Sequence, residues 1–339
     1  MPTQDQTATA KTETRVEEAA TVSPALRDAF RALRDANVTL RSTAAARAMI
    51  AFDTIRLPYP RQLEAMLTFL EAQQLGRAMK GSKKNAVCIF AAPHTGKTTV
   101  GQQFAAVANE EAAEGTKPVV FISMGSGGGP LQMHRSILRE LGEGFPATKD
   151  LEIMRDRCCE AMVEAGTELL IIDEAHEGGK GSAFGPSITA ELKTLLNWGH
   201  VSIVLLGTQK AEALVRKDEE FVMRTMAPCR LGALDWADDE DRELWIEFLT
   251  ELDAEMQRIG IVGEATGLAD EQLALALWQA CGGVIGQLMK VVMLALRVAI
   301  HDNRNFIAVD DLALAVDEWS VAFGLSDINP LDRLLTGAD

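Results

Sequence analysis

Apolar residues change their spacing several times along the chain. Residues 1–22 are rich in Thr, Ala, Glu and Gln and carry almost no large apolar side chains. A segment of that composition has too little to bury, so a disordered tail is predicted. Ser23-Pro24 sets a capping hydroxyl before a proline at the first helical position, which predicts a helix reaching residue 33. Tyr59-Pro60 opens another, with Leu63, Met66, Leu67 and Leu70 at i, i+3, i+4 and i+7. Beyond it, short continuous apolar runs at 86–90, 119–122, 169–172 and 201–206 alternate with helical stretches at 97–113, 131–141, 151–165 and 187–198. Apolar runs without polar alternation, separated by helices, predict parallel strands buried on both faces. A last strand-like run is 228–231. From 238 onward only helices are predicted, at 238–257, 270–280, 284–302 and 309–323, broken by Gly260, Gly263, Gly267 and Gly282-Gly283. The organisation expected is a tail (1–22), an α/β domain with N-terminal helices (23–233), a small all-α domain (234–324) and a C-terminal tail (325–339).

Composition narrows this picture. The 339 residues carry a net charge of −16 and five cysteines. No apolar run approaches the ~18–20 residues that span a bilayer, and the N-terminus lacks the basic and apolar parts of a secretory signal. Cys158 and Cys159 are adjacent and no C-x-x-C spacing occurs, so reduced thiols and a cytoplasmic location are expected, with no membrane. The acidity is uneven. Residues 234–320 hold 18 acidic and five basic side chains, whereas 25–233 hold 24 and 25. The objection that net acidity raises against nucleic-acid binding therefore falls on the C-terminal third.

The chemistry begins at the end of the first strand. Ala91-Ala92-Pro93-His94-Thr95-Gly96-Lys97-Thr98 has the spacing G-x-x-x-x-G-K-[ST], with Ala91 in place of the first glycine and Thr99 following. Small residues let successive backbone N–H groups converge on phosphate oxygens, and the helix N-terminus adds its positive end. Lys97 would neutralise the β- and γ-phosphates of ATP and the Thr98 hydroxyl would ligate Mg²⁺. His94 reads as a variable position of the loop.

The third run ends Ile171-Ile172-Asp173-Glu174, delivering two carboxylates to a strand's C-terminal edge, where open parallel sheets bind ligands. Asp173 would hold Mg²⁺ through water and Glu174 would act as general base on the attacking water. Thr208, at the tip of the fourth run, would orient that water or sense the γ-phosphate, or serve only as a turn residue. Arg224 would reach a neighbouring subunit's γ-phosphate, with an ordinary salt bridge as the alternative and Arg216 and Arg230 as rivals. Trp236, Trp245, Trp278 and Trp319 lie in helical contexts and read as core.

Together these motifs resemble AAA+ ATPases and, more narrowly, TniB/TnsC-type transposition regulators. The resemblance runs from Tyr59 to the C-terminus. It rests on Tyr59-Pro60-Arg61, the phosphate loop, Ile171 to His176, Leu205-Leu206-Gly207-Thr208, Cys281 to Leu288 (Cys-Gly-Gly-Val-Ile-Gly-Gln-Leu), and Asn329-Pro330-Leu331. It implies a P-loop AAA+ parallel sheet flanked by helices and followed by a small all-α lid, with Tyr59 and Pro60 beside the nucleotide. It also implies an ATP-hydrolysing adaptor that forms rings or filaments on double-stranded DNA. Such an adaptor recruits a DDE transposase (TniA/TnsB-like) and connects it with a TniQ-type target selector. DNA contacts in that family come from the loops after the second and third strands, which here place Ser126, Gly127 and Lys180. Many AAA+ proteins carry a second sensor Arg where this chain reads Val284-Ile285-Gly286-Gln287, and Lys290 lies one turn on. Two other readings stay open: a helicase-loader or initiator ATPase, and a nucleotide-responsive adaptor that never touches DNA.

Overall fold

The computed structural model describes residues 31, 36–57, 59–124, 129–144, 146–174, 186–227, 229 and 231–336. The tail 1–22, nearly all of the helix expected from Pro24, and Ser126, Gly127, Ala175, His176, Lys180 and Arg230 lie outside them.

Four strands form the sheet: β1 (Ala86–Phe90), β2 (Val119–Ser123), β3 (Leu169–Asp173) and β4 (Ser202–Gly207), in the order β1-β4-β3-β2 with every pairing parallel. Their side chains alternate between two apolar layers. Val87, Ile89, Leu169, Ile171, Val204 and Leu206 face one; Cys88, Val120, Leu170, Ile172, Ile203 and Leu205 face the other. This double burial is why the runs read as continuous rather than alternating.

Helix α1 (Ala36–Asp53) precedes α2 (Pro60–Ala78). Then α3 (Lys97–Glu110), α4 (Pro130–Glu140), α5 (Leu151–Glu164) and α6 (Pro186–Trp198) connect the strands. After the sheet come the short α7 (Gln209–Val215) and α8 (Glu219–Val222). The C-terminal region is helical: α9 (Asp239–Arg258), α10 (Glu271–Cys281), α11 (Ile285–His301) and α12 (Val309–Ala315), with α13 (Asp332–Thr336) at the end. Aspartates cap α9 and α10: Asp238 accepts from the Asp241 N–H, and Asp270 from those of Gln272 and Leu273. The layer under α2 and α3 is continuous with the helical region. One apolar cluster runs from Val87 and Leu206 through Phe69 to Trp245, Leu277 and Leu296.

Three expectations are corrected. Helix α1 has no counterpart in the apolar pattern because its buried stripe is Ala45, Ala48 and Phe52, two of them small. Small residues let it pack closely along α11, where Arg41 also donates to the His301 carbonyl. Of the strand expected at 228–231, Pro228 and Arg230 lie outside the described residues, and Cys229 and Leu231 are not in a strand. Instead Thr225 forms an isolated parallel bridge beside β1, with Ala86 N donating to Arg224 O and Met226 N to Ala86 O. The helix expected over 309–323 changes at Ala315 into a wide turn, Val316–Val321, in which Ala322 N donates to Asp317 O five residues back. Part of the C-terminal tail is docked: Leu331 is buried and Asn329 Nδ2 donates to the Ala313 carbonyl. Among the described residues no single helix is long and apolar enough to cross a membrane. Helices α10 and α11 approach that composition as a pair, but meet at 110° and bury their apolar faces in the core.

Candidate nucleotide-binding site

The sheet order decides what the phosphate loop faces. Phe90 pairs with Gly207 and Ile172 with Leu205, so the C-terminal tips of β1, β4 and β3 stand side by side. The loop leaves β1 with Ala91 N donating to Gly207 O. Ala91 is buried and is not among the residues with positive φ, so alanine meets no backbone strain where the motif has glycine. Positive φ falls instead on His94 (64°) and Gly96 (86°). Gly96 caps α3, and its left-handed conformation is what requires glycine; the side chain of Gln62, near which a Cβ would fall, could swing aside.

Lys97 opens α3 and is 8% exposed. Its ammonium donates to the carbonyls of Ala91 (2.9 Å) and Ala92 (2.6 Å), inside the curl of the loop. Burial lowers its pKa, opposed by the nearby charges of Asp173 and Glu174. One residue on, Thr98 Oγ1 donates to Asp173 Oδ2 at 2.7 Å. A hydroxyl and a buried carboxylate converging at the base of a phosphate-type loop form the oxygen donor set suited to Mg²⁺. Glu174 follows with φ 55°, a left-handed conformation that is strained for a non-glycine residue. Thr208 leaves β4 between the loop and the acids. Its hydroxyl is buried, has no hydrogen-bond partner among the described residues, and does not cap α7. The sequence-predicted Lys97, Thr98, Asp173, Glu174 and Thr208 are thus brought to one edge of the sheet.

A cavity of about 560 Å³ opens beside the loop, lined on one part by Thr95, Gly96 and Thr99 and elsewhere by apolar side chains of α1, α9, α11 and the wide turn, with the polar Asp53, Arg56, Gln62, Gln103 and Lys290 among them. Tyr59 lines it as the residue preceding α2, 3% exposed and edge-on to Phe248. Its hydroxyl has no partner among the described residues, and burial pushes it up to about 12, with smaller effects from Arg61, Asp241 and Glu64. Pro60, the first residue of α2, fixes the start of that helix. Two contacts escaped the sequence reading. Gly286 N, in the first turn of α11, donates to the His94 carbonyl at 3.0 Å, so the helical region rests directly on the loop. Trp319, read as core, lines the cavity, as does Lys290. The Gly-Gly-Val-Ile-Gly segment was the one available signal of the first contact; nothing in the local pattern pointed to the second.

A family profile described as bacterial TniB protein matches residues 56–231, just over half of the chain. The chain belongs to the TniB family. No curated protein matches it in sequence. Among solved structures it is similar to Cdc6p from Pyrobaculum aerophilum (TM-score 0.59, 15% identity, covering 79% of this chain and 70% of that one). It is also similar to ORC2 from Aeropyrum pernix, solved as ADPNP–ADP complexes (TM-score 0.56, 15% identity, 79% and 70%). A third is ORC1 from the same organism in complex with DNA (TM-score 0.54, 16% identity, 77% and 66%). The TniB chain therefore has the AAA+ fold: a parallel P-loop sheet between helices, followed by a helical region.

Two of the three candidate arginines of this TniB chain, Arg224 and Arg216, lie elsewhere, and the third, Arg230, is outside the described residues. Arg224 borders the N-terminal end of β1, the opposite edge from the loop, and its guanidinium donates to Asn197 and to Glu220. It is too remote to serve the phosphate site of its own chain. Arg216 pairs with Glu212 one turn earlier and is largely exposed.

Proposed function

We propose that this TniB protein is an ATP-hydrolysing transposition regulator that assembles on double-stranded DNA and recruits a DDE transposase to target sites. The contact that carries the reading is Thr98 to Asp173, 2.7 Å apart and flanked by Lys97 and Glu174. Lys97 and the loop residues Ala91 to Thr99 hold the triphosphate, with Tyr59 and Pro60 at its side. Thr98 and Asp173 hold Mg²⁺, which supplies charge neutralisation on the phosphate oxygens. Glu174 takes the proton from the attacking water, and Thr208 donates its buried hydroxyl to that water or to the γ-phosphate. Arg224 leaves Glu220 to stabilise the transferring phosphoryl of an adjoining subunit, so bound ATP is shared across the interface and favours assembly by mass action. Hydrolysis then dismantles the assembly. Residues 234–324 act as the lid over the cleft.

DNA binding is supported by the family and by relatives of the fold solved on DNA, the archaeal ORC1 and a Drosophila ORC. Ser126, Gly127 and Lys180, from the loops after β2 and β3, are the proposed contacts; a TniQ-type selector is the proposed third partner, and the cytoplasm the proposed compartment. The test combines ATPase assays with imaging of duplex DNA. Lys97→Ala should abolish ATP binding and assembly. Glu174→Gln should bind ATP, stop turnover and lengthen the life of DNA-bound oligomers. Normal turnover by Glu174→Gln removes the catalytic assignment. The acidic 234–320 segment favours one other reading, an adaptor that never touches DNA, and absence of DNA binding at every salt concentration would select it.

A further inference from the structure

The cavity beside the phosphate loop has two chemically different parts. The loop offers backbone groups and the hydroxyls of Thr95 and Thr99, whereas Phe52, Tyr59, Phe248, Met289, Met293 and Trp319 make an apolar and aromatic wall. That wall adjoins the loop, so it offers a seat for the base of a nucleotide whose phosphates sit there. Three of the four aromatic side chains there are already committed to the core: Phe52, Tyr59 and Phe248 are 2%, 3% and 7% exposed, and Tyr59 packs edge-on to Phe248. Trp319 is only half-buried while lining the cavity, so its indole is the ring with surface left to offer.

The backbone beneath it is unusual. Trp319 sits within the wide turn Val316–Val321, where Ala322 N reaches Asp317 O and Leu325 N reaches Ser320 O, each five residues back. The Ser320 hydroxyl is fully buried with no partner among the described residues. Isolated wide turns are rare in helices and concentrate at functional sites, and an orphaned buried hydroxyl adds to the cost of keeping this one.

We propose that Trp319 is a base-recognition residue, its indole stacking on the purine of the bound nucleotide and setting how strongly the cleft prefers a nucleotide to a bare triphosphate. The assignment rests on the nucleotide reading of the phosphate loop. Stacking on an indole face has no counterpart for inorganic triphosphate, which separates a base contact from a structural role.

The experiment titrates the full chain, with Mg²⁺, against ATP and against inorganic tripolyphosphate. Trp319→Leu keeps apolar bulk without a π face, and Trp319→Phe keeps a ring. Trp319→Leu should weaken ATP by about tenfold, the size of one base–aromatic stack, and leave tripolyphosphate unchanged. Trp319→Phe should recover most of the ATP affinity. Indole emission of the native protein should change on adding ADP and not on adding tripolyphosphate, and Trp319→Phe should lose that change. Equal losses for both ligands in Trp319→Leu, or no loss for either, overturn the proposal while leaving the phosphate loop intact. Failure of the native chain to bind either ligand overturns the loop reading, and this inference with it.

Discussion

Gly286→Ala sets two physical effects against each other. In a helix, replacing glycine by alanine gains up to ~1 kcal/mol from backbone entropy, so propensity alone predicts a more stable protein. Here a Cβ on Gly286 would lie 2.2 Å from the His94 carbonyl oxygen, 2.9 Å from His94 Cβ and 3.0 Å from its carbonyl carbon. A carbon–oxygen contact settles at roughly 3.3 Å or more, so loop and helix must part by about 1 Å. His94 has little room to yield, because its φ of 64° is already left-handed. Forcing one carbon into a closely packed contact costs about 1–3 kcal/mol. The least costly relief is to lift the first turn of α11 off the loop, breaking the 3.0 Å Gly286–His94 hydrogen bond. The loss then appears in the nucleotide site rather than in global stability. Calorimetric titration should show ADP binding weakened by about 5- to 150-fold, the equivalent of that energy. Thermal unfolding of the nucleotide-free protein should change by less than ~1 kcal/mol, since propensity offsets part of the clash. An unchanged ADP affinity with a raised melting temperature would refute the argument, showing that the contact does not shape the site.

Thr208→Val removes a buried hydroxyl that has no partner among the described residues, so nucleotide-free stability should hold or rise by about 1 kcal/mol. Turnover should fall by at least about tenfold, and a melt paired with an ATPase assay reads both. Arg224→Ala should lower hydrolysis in the assembled state by about 10³-fold, the worth of an arginine supplied in trans. It should leave single-chain ATP affinity unchanged, as a protein-concentration series would reveal. Glu191 is a stability probe. Burial pushes its carboxyl up, but hydrogen bonds from Arg155 and His134 override this and hold it at about 2. Its folded value lies below the ordinary 4.5, so its contribution is complete above pH 4.5 and is lost as pH falls toward 2. Glu191→Gln should cost about 1–3 kcal/mol near neutrality and flatten the acid limb of urea unfolding over that range.

The floor of the site was legible in the sequence, and the roof was not. Asp173 and Thr208 sit at the tips of strands announced by uninterrupted apolar runs, Lys97 and Thr98 follow one loop beyond another, and a parallel sheet brings such tips together without further information. Helix α1 was missed because alanines bury a face without raising local hydrophobicity. The Gly286–His94 contact joins residues far apart in sequence, and no local period encodes that distance. Trp319 read as core from its helical context, and it does pack against the core, but it also lines the cavity from within the wide turn, which no local pattern announced.

The apolar layer that passes unbroken from beneath the sheet into the C-terminal helices has a practical corollary. Severing the chain near residue 233 would part Phe248 from Tyr59 and strip α11 of its contact with α1, exposing apolar surface on both fragments. The two halves should therefore melt in one transition, which calorimetry of the full chain would show. A chimera that exchanges the C-terminal helices for those of a cousin must also match α1, which packs along α11.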